Sequence, residues 1–372
     1  MKDVKELITK NIENLKTKAK SINLEKIKAF LPKEKPRINI GLDIGSFFVK
    51  AVALRIQKDK AELLKFAIKQ VSKNSLGDSI KDILSEFNFA DKVVNLSIAG
   101  QGVVVRSIQM PKMSISEVKN AVRFEAEKHI PFPVDEVFMD CFILKQLPEE
   151  NKMLVLVAAA KKELVQRHLG LLKRLGLEAK VIDVDSMALT NIYNRLDSKE
   201  ESVGTDTGTV QPKKAVALLN MGASFCSLCI LKNDMPRFVR DIFIGGDDFT
   251  KRIVNILNLS QIDAEKIKCN PGSDWEKITG ACETILNNLI NEIRRSFDYF
   301  ESDANVAIGS LYLSGGGSCF KGIDEILKNH INVEVKFLDP FIGLEINEGL
   351  NTEELKSQSR KLAVAVGAAL RR

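Results

Sequence analysis

Two short glycine-bearing turns, one opening each half of the chain, constrain most strongly what this sequence can fold into. The first lies within residues 41–50 and the second within residues 219–227, and each follows a short apolar segment and leads into another. Glycine allows backbone conformations forbidden to other residues, so such a turn can bring successive N–H groups close to an anion. One turn of this kind is commonly an ordinary hairpin. Two of them predict two domains that close on one nucleotide.

The side chains in and beside these turns suit a phosphorylated ligand with a metal ion. Asp43 is placed to hold a hydrated metal ion through water. Lys50 adds a positive charge for phosphate, although it could also be a surface lysine of a strand. The groups expected to face the phosphates belong to Gly45, Ser46, Phe47, Gly222, Ala223 and Ser224.

The order of these motifs resembles that of the actin and heat-shock-chaperone ATPase superfamily. Residues 43–50 look like its first phosphate loop, residues 220–224 like its second, and residues 313–318 like its adenosine motif. The resemblance implies an α/β, actin-like ATPase fold, with two RNase-H-like domains around a nucleotide cleft. It also implies that ATP and Mg²⁺ are the cofactors, with Asp43 as the water-mediated metal acid.

The resemblance extends the expected nucleotide site beyond the two turns. Gly245, Gly246 and Asp247 follow a predicted strand and open a predicted helix, whose free N–H groups and dipole would face a ribose or phosphates. Lys251, one turn further on, is placed to reach the adenine. Arg294 on a long predicted helix is another candidate for the base pocket. An adenosine could lie against the backbone of Gly315, Gly316 and Gly317.

Two positions bear on whether the site catalyses hydrolysis. Asp185 resembles the residue that orients the attacking water in the superfamily, but it would equally serve as the N-cap of the helix that it begins. Asn220 stands where the second phosphate loop normally carries an acid, and Phe47 is bulky where a small residue is usual. An amide cannot act as a carboxylate paired with a metal ion, so we expect nucleotide binding with slow turnover.

A narrower resemblance rests on residues 105–114, 124–137 and 237–247, which are similar to the signature of the PilM family of the type IV pilus machinery. That resemblance covers roughly residues 38–372. It implies that a groove beside an inserted subdomain takes the N-terminal cytoplasmic peptide of the inner-membrane protein PilN. Other inner-membrane pilus components and self-association are further expectations, with the chain cytoplasmic and peripheral to the membrane. The expected peptide contacts are Val118, Val122, Ile130 and Phe132.

Changes in charge, polarity and apolar pattern along the chain predict its domain limits. Residues 1–36 hold ten lysines against five acids and form a basic extension, either an accessory helix or an amphipathic segment for an anionic surface or a partner. The first domain is expected over residues 37–196, with an inserted subdomain at about 103–160, which the family resemblance implies to be of the FtsA type (1C). A polar linker over 197–213 leads to the second domain, 214–372, with a small subdomain (2B) at about 259–290.

Composition excludes several other classes. The chain has 372 residues with no apolar run long enough for a membrane span. Its net charge of +6 comes mostly from the extension, and with one tryptophan and three tyrosines it lacks the features of a nucleic-acid-binding protein. Cys226 and Cys229 fall in an apolar strand pattern and favour buried thiols over a metal or redox pair. Two alternatives stay open: an FtsA-like cell-division protein and a small-molecule kinase on the same fold.

Overall fold

The structure is a computed structural model that describes residues 36–58, 60–71, 76–87, 93–200 and 214–371. The expectations for residues 1–35 and for the linker beyond residue 200 lie outside this part of the chain. The strands are β1 (Arg37–Ile44), β2 (Phe48–Gln57), β3 (Lys60–Gln70), β4 (Val93–Ile98), β5 (Val103–Pro111), β6 (Val137–Leu147), β7 (Lys152–Lys161), β8 (Glu178–Val184), β9 (Ala215–Met221), β10 (Cys226–Lys232), β11 (Met235–Ile242), β12 (Ile308–Ser314), β13 (Glu334–Phe337) and β14 (Glu345–Ile346).

The helices alternate with these strands and cover the sheets. They are α1 (Leu76–Phe87), α2 (Ile115–Ala126), α3 (Lys162–Arg174), α4 (Asp185–Glu200), α5 (Gly246–Leu257), α6 (Gln261–Cys269), α7 (Trp275–Ala304), α8 (Ile323–Ile331) and α9 (Thr352–Ala369). None of the helices in the described residues combines the length and apolar character that a membrane span requires.

The two large sheets repeat one topology. In the first, the strand order β3-β2-β1-β4-β8 joins an antiparallel meander to two parallel strands, and the second repeats it as β11-β10-β9-β12-β13. The short strand β14 adds to the first sheet by pairing in parallel with β3. The pseudo-repeat expected from the two glycine turns is therefore present as two sheets of the same connectivity.

The two glycine hairpins are equal in length. Asp43 pairs with Lys50 across the first hairpin, and Asn220 pairs with Ser227 across the second. Each hairpin therefore spans eight residues from the first paired residue to the last. In the second hairpin, Asn220 is therefore the equivalent of Asp43 in the first, and Ser227 is the equivalent of Lys50.

A third, smaller sheet lies between β4 and α3 in the chain. Its order is β5-β7-β6, and α2 packs on one face over a core that includes Val118, Val122 and Met153. The Ser114 hydroxyl accepts from the Glu117 N–H, and the Glu117 carboxylate accepts from the Ser114 N–H, so a capping box begins α2. This sheet runs from Val103 to Lys161, which corresponds to the expected insertion.

Helices α4 and α9 fill the space between the two large sheets. The apolar cluster there takes residues from β2 and β9 as well as from both helices. A run of small residues at 363–369 makes the close packing possible. A Cβ at Gly41 would stand 1.9 Å from the Ala365 carbonyl oxygen, and one at Gly367 would stand 2.0 Å from that of Ala188. Both positions therefore require glycine for the helices and strands to approach.

Two elements differ in extent or place from the expectation. Helix α4 continues to Glu200 rather than ending at residue 196, so the expected linker begins inside the helix. The strand β14 and the helix α9 come from the expected second domain, yet β14 pairs with β3 and α9 packs on β1, β2 and β4. The apolar residues of α9 pack in a cluster with residues of both large sheets. The order of elements along the sequence does not reveal this packing. The domain limits themselves stay a prediction.

Candidate functional site

The tips of the two glycine hairpins face one cavity between the large sheets. Its volume is about 580 Å³, within the ~300–1,000 Å³ typical of small-molecule sites. The Gly45 N–H donates to the Phe48 carbonyl at 3.0 Å, and the Gly222 N–H donates to the Phe225 carbonyl at the same distance. The hairpins touch across the cavity, where the Ser224 hydroxyl lies 2.7 Å from that of Ser46. The structure thus brings both predicted phosphate turns together.

A buried ion pair lies at the base of the first hairpin. The Lys50 ammonium is 2.6 Å from the Asp43 carboxylate, and the two side chains are 15% and 10% exposed. They are neighbours because the hairpin register sets them opposite each other on β1 and β2. Both line the cavity, so the structure places a cation and an acid where the sequence predicts contacts to phosphate and metal.

Asp185 lies at the floor of the cavity, held by one donor on each carboxylate oxygen. The Ser97 hydroxyl donates to Oδ1 at 2.6 Å, and the Asn220 amide donates to Oδ2 at 3.3 Å. Burial, with the nearby charge of Asp43, raises the pKa of Asp185 to about 7, although the Ser97 hydrogen bond and the charge of Lys50 oppose the shift. A carboxyl group with a pKa near neutrality can exchange a proton with water at working pH.

Residues 245–247 support the second hairpin from behind. The Gly246 N–H donates to the Gly222 carbonyl at 2.9 Å, and the Asp247 N–H donates to the Ala223 carbonyl at 2.8 Å. These two N–H groups, expected to be free for a ligand, are therefore already engaged. Gly246 and Asp247 still line the cavity with other atoms, whereas Gly245 does not line it. Burial raises the pKa of Asp247, and the charges of Lys251 and Lys268 oppose this.

The glycine run after β12 closes one wall of the cavity. Gly315 has a φ of +84°, and a Cβ there would stand 2.4 Å from the Met221 carbonyl oxygen. A side chain at this position would be strained and would also collide with the second hairpin. Gly315, Gly316 and Gly317 all line the cavity, as the sequence predicts for the adenosine side.

A polar cluster on α6 contributes to the cavity wall. It was not predicted from the sequence. The Lys268 side chain is only 2% exposed, and its ammonium donates to Glu265 at 2.6 Å, to the Thr250 hydroxyl at 2.9 Å and to the Gly246 carbonyl at 3.2 Å. Lys268 and Glu265 line the cavity. A buried lysine fully bonded in this way fixes α6 against the start of α5. Its sequence signal was weak, since lysines three residues after an acid are common on exposed helices.

Two predicted base-pocket residues do not line the cavity. The Arg294 guanidinium donates from Nε to the His330 carbonyl at 2.9 Å, which ties α7 to α8. Lys251 is exposed on α5. By contrast, Arg167 and His168 on α3 and Lys361 on α9 line the cavity, and no motif pointed to them. Their positions depend on how α3 and α9 pack, which local sequence does not encode.

The predicted peptide contacts divide into buried and accessible residues. Val118, Val122 and Ile130 are 1%, 4% and 7% exposed in the core beneath α2. Phe132 is half-buried, with the Lys161 ammonium 4.6 Å from its ring centroid. Three of the four therefore offer almost no surface in this conformation, and the helical spacing of Val118 and Val122 is that of a core face.

Exposed aromatic residues lie instead on the edge strand β6. Phe138 and Phe142 are 46% and 66% exposed, and alternation along β6 puts them on the same face of the small sheet. Phe142 pairs with Leu156 of β7, which packs against the central apolar cluster between the large sheets. These rings therefore stand on the side of the small sheet that faces the body of the molecule, opposite to α2.

Two sheets of equal topology, each presenting one glycine hairpin to a shared cavity, define the actin-like ATPase fold. Comparison with known families then gives a narrower assignment. The chain belongs to the family of the type IV pilus assembly protein PilM, whose model matches residues 41–372. This membership favours the pilus interpretation over the cell-division and kinase alternatives. The FtsA-type assignment of the insertion stays a prediction.

Solved structures agree with this assignment. A structure described as a PilM-PilN type IV pilus biogenesis complex aligns with a TM-score of 0.77 and 29% sequence identity, covering 91% of this chain and 99% of that chain. The ethanolamine utilization protein EutJ from Carboxydothermus hydrogenoformans aligns with a TM-score of 0.51 and 12% identity, covering 92% and 93% of the two chains. The second likeness supports the fold alone.

Proposed function

We propose that this chain is a nucleotide-binding scaffold of the type IV pilus assembly machinery, which binds the N-terminal peptide of a PilN-like protein. Nucleotide binding is supported chiefly by the two hairpins of equal length, which meet over one cavity. Membership of the PilM family and the similarity to a PilM-PilN complex support the partner. Through that partner, and through other inner-membrane pilus components, the chain would be held at the inner membrane from the cytoplasmic side.

We assign ATP with Mg²⁺ to the cavity between the hairpins. The residues present fit this ligand, because both glycine turns, two hydroxyls and the Lys50 cation line the one cavity. Among the described residues no cluster of three acids, histidines or cysteines stands ready as a protein-only metal site. That fits Mg²⁺ held by water, phosphate and the single carboxylate of Asp43. When bound, the ion would neutralise phosphate charge.

We assign a separate role at this site to Lys50, Asp185 and Asn220. Lys50 would exchange part of its pairing with Asp43 for a phosphate oxygen. Asp185, kept in place by Ser97 and Asn220, would orient a water molecule and accept its proton. Because Asn220 replaces a second acid, we infer that hydrolysis is slow and that the chain acts mainly as a nucleotide-dependent scaffold.

The nucleotide assignment is tested by titrating ATP and Mg²⁺ into the protein in a calorimeter. We expect Lys50→Ala to weaken ATP binding by about 1–3 kcal/mol, the scale of a charge-assisted contact. Lys60→Ala is the matched control, because this lysine is 82% exposed on the neighbouring strand β3. Equal ATP affinity in the two variants would remove Lys50 from the site.

For the peptide we propose the face of the small sheet that carries Phe138 and Phe142. Its rings are exposed beside the body of the molecule, and β6 is an edge strand to which an extended peptide can add. The Lys162 ammonium stands 5.9 Å from the Phe138 ring centroid and adds a positive charge at this face. Phe132 lies on the other side of the small sheet and would act only indirectly.

A labelled peptide from the N-terminus of the PilN-like protein tests this surface. We expect Phe142→Ala to weaken its binding by ~1–3 kcal/mol, as for an aromatic anchor. Phe124→Ala is the control, because Phe124 is 76% exposed on α2, on the opposite side of the sheet. If the control loses binding and Phe142→Ala keeps it, the peptide lies over α2 instead.

A further inference from the structure

A second large cavity lies away from the nucleotide site, between the small sheet and the second large sheet. Its volume is about 660 Å³, and its walls come from β5, β11 and α7. The lining among the described residues holds four arginines, Arg106, Arg237, Arg240 and Arg295, against one carboxylate, Asp303. Nothing in the nucleotide site or the proposed PilN face uses this cavity.

The positive charge is only partly compensated. Glu292 on α7 pairs with both Arg240 and Arg295, the latter at 2.9 Å. Arg237 makes no hydrogen bond or ion pair with any residue of the described chain, and its Nη1 atom is buried. A buried guanidinium nitrogen without an acceptor costs free energy unless a ligand supplies one. The Arg237 guanidinium therefore has a buried donor that an anionic ligand at this cavity could engage.

The walls also offer two sheet edges. β5 is the outer strand of the small sheet, and β11 is the outer strand of the second large sheet. No backbone hydrogen bond joins them within the described ranges. Side chains bridge them instead: Arg106 donates to the Val239 carbonyl at 3.0 Å, and Ser107 donates to the Pro236 carbonyl at 3.3 Å. Unpaired strand edges are templates for an added extended chain, which here can pair only with the backbone groups that Arg106 and Ser107 do not already engage.

An apolar contact surface completes the site. Tyr299 on α7 is 63% exposed, and its ring lies 5.6 Å from that of Phe238 on β11. An aromatic pair beside arginines can hold the apolar side chains of a segment whose acids meet the guanidinium groups.

From these observations we propose that the β5–β11 cavity binds an extended acidic segment of a protein partner. Alternating carboxylates would meet Arg237, Arg240 and Arg295, while the backbone adds to one of the two strand edges. Because β5 and β6 are opposite edges of the small sheet, this site is separate from the PilN face, and it does not depend on that assignment.

The test uses the full chain and two fluorescein-labelled peptides, followed by fluorescence anisotropy. One peptide carries glutamate at alternate positions among threonine and valine, and the other carries glutamine at the same places. We expect the glutamate peptide to bind more tightly and to lose affinity as salt rises. Arg237→Gln should weaken it by about tenfold, and Arg237→Lys should restore part of the loss.

Two further variants serve as a second test of the cavity and as a control for the change in charge. Arg295 is 71% exposed, so Arg295→Gln cannot disturb the core and should also weaken the glutamate peptide. Arg174→Gln makes the same charge change on α3, away from this cavity, and should leave binding unchanged. Equal binding of the two peptides, or full binding by Arg237→Gln, overturns the proposal. Tighter binding of a single-stranded oligonucleotide or of tripolyphosphate than of the glutamate peptide overturns it as well.

Discussion

Replacing Asp185 by asparagine should stabilise the nucleotide-free protein, although it removes a residue of the proposed site. In the unfolded chain the pKa of this carboxyl group is near its ordinary value of 3.8, whereas burial raises the pKa in the folded chain to about 7. Between these two values the folded state binds more protons than the unfolded state. The free energy of unfolding therefore falls as pH rises through this window and is level above about 7.

The size of the effect follows from the same two pKa values. Relative to a pH at which Asp185 is protonated in both states, its raised pKa lowers the free energy of unfolding by about 4 kcal/mol at pH 8 and by about 2 kcal/mol at pH 5.5, at ~1.4 kcal/mol per pH unit. In Asp185→Asn the new carbonyl can still accept from Ser97, but the new NH₂ group faces the amide donor of Asn220. That lost hydrogen bond costs ~1 kcal/mol. We expect a net stabilisation of about 3 kcal/mol at pH 8 and about 1 kcal/mol at pH 5.5.

Urea unfolding at the two pH values, without nucleotide, measures this difference. Asp298→Asn provides the control, because Asp298 is exposed on α7 and the same chemical change there should have little effect at either pH. An Asp185→Asn variant whose advantage is the same at both pH values, or shrinks as pH rises, would refute the raised pKa of this buried carboxyl group.

The remaining predictions concern turnover and packing. Asn220→Asp should raise ATP hydrolysis when Mg²⁺ is present, measured as phosphate release, because a second acid can then pair with the ion; a lower rate would contradict this account of the hairpin. Gly367→Ala should lower the free energy of unfolding by ~1–3 kcal/mol in urea, because its Cβ would meet the Ala188 carbonyl. Gly280→Ala, in open space on α7, should instead raise it by ~0.5–1 kcal/mol.

The sequence predicted the parts of the fold that depend on local pattern. The two turns have a fixed length and need particular residues, so Gly45, Gly222 and their strands could be found without a structure. An inserted subdomain was predicted from the change in sequence pattern at Val103, and the small sheet of the structure lies in the same part of the chain. Membership of the PilM family confirms the resemblance that rested on residues 105–114, 124–137 and 237–247.

The sequence could not predict features set by packing between distant segments. Val118 and Val122 showed helical spacing, but this pattern is the same for a core face and for a binding face, and here it marks the core. The Lys268 cluster depends on α6 folding back on α5, which joins residues 18 positions apart. Arg294 was chosen from its helix alone, and the orientation of α7 directs it to His330 instead.

The insertion is joined to the nucleotide cavity by continuous regular structure. Strand β7 ends at Lys161, and α3 begins at the next residue without a loop. The same helix brings Arg167 and His168 to the cavity wall, while β7 pairs along its length with the strand that carries Phe142. A shift of α3 in response to a nucleotide would therefore move the strand beside the proposed peptide face. Such a direct connection gives the two proposed sites a physical route for energetic coupling, which by linkage would act equally in both directions.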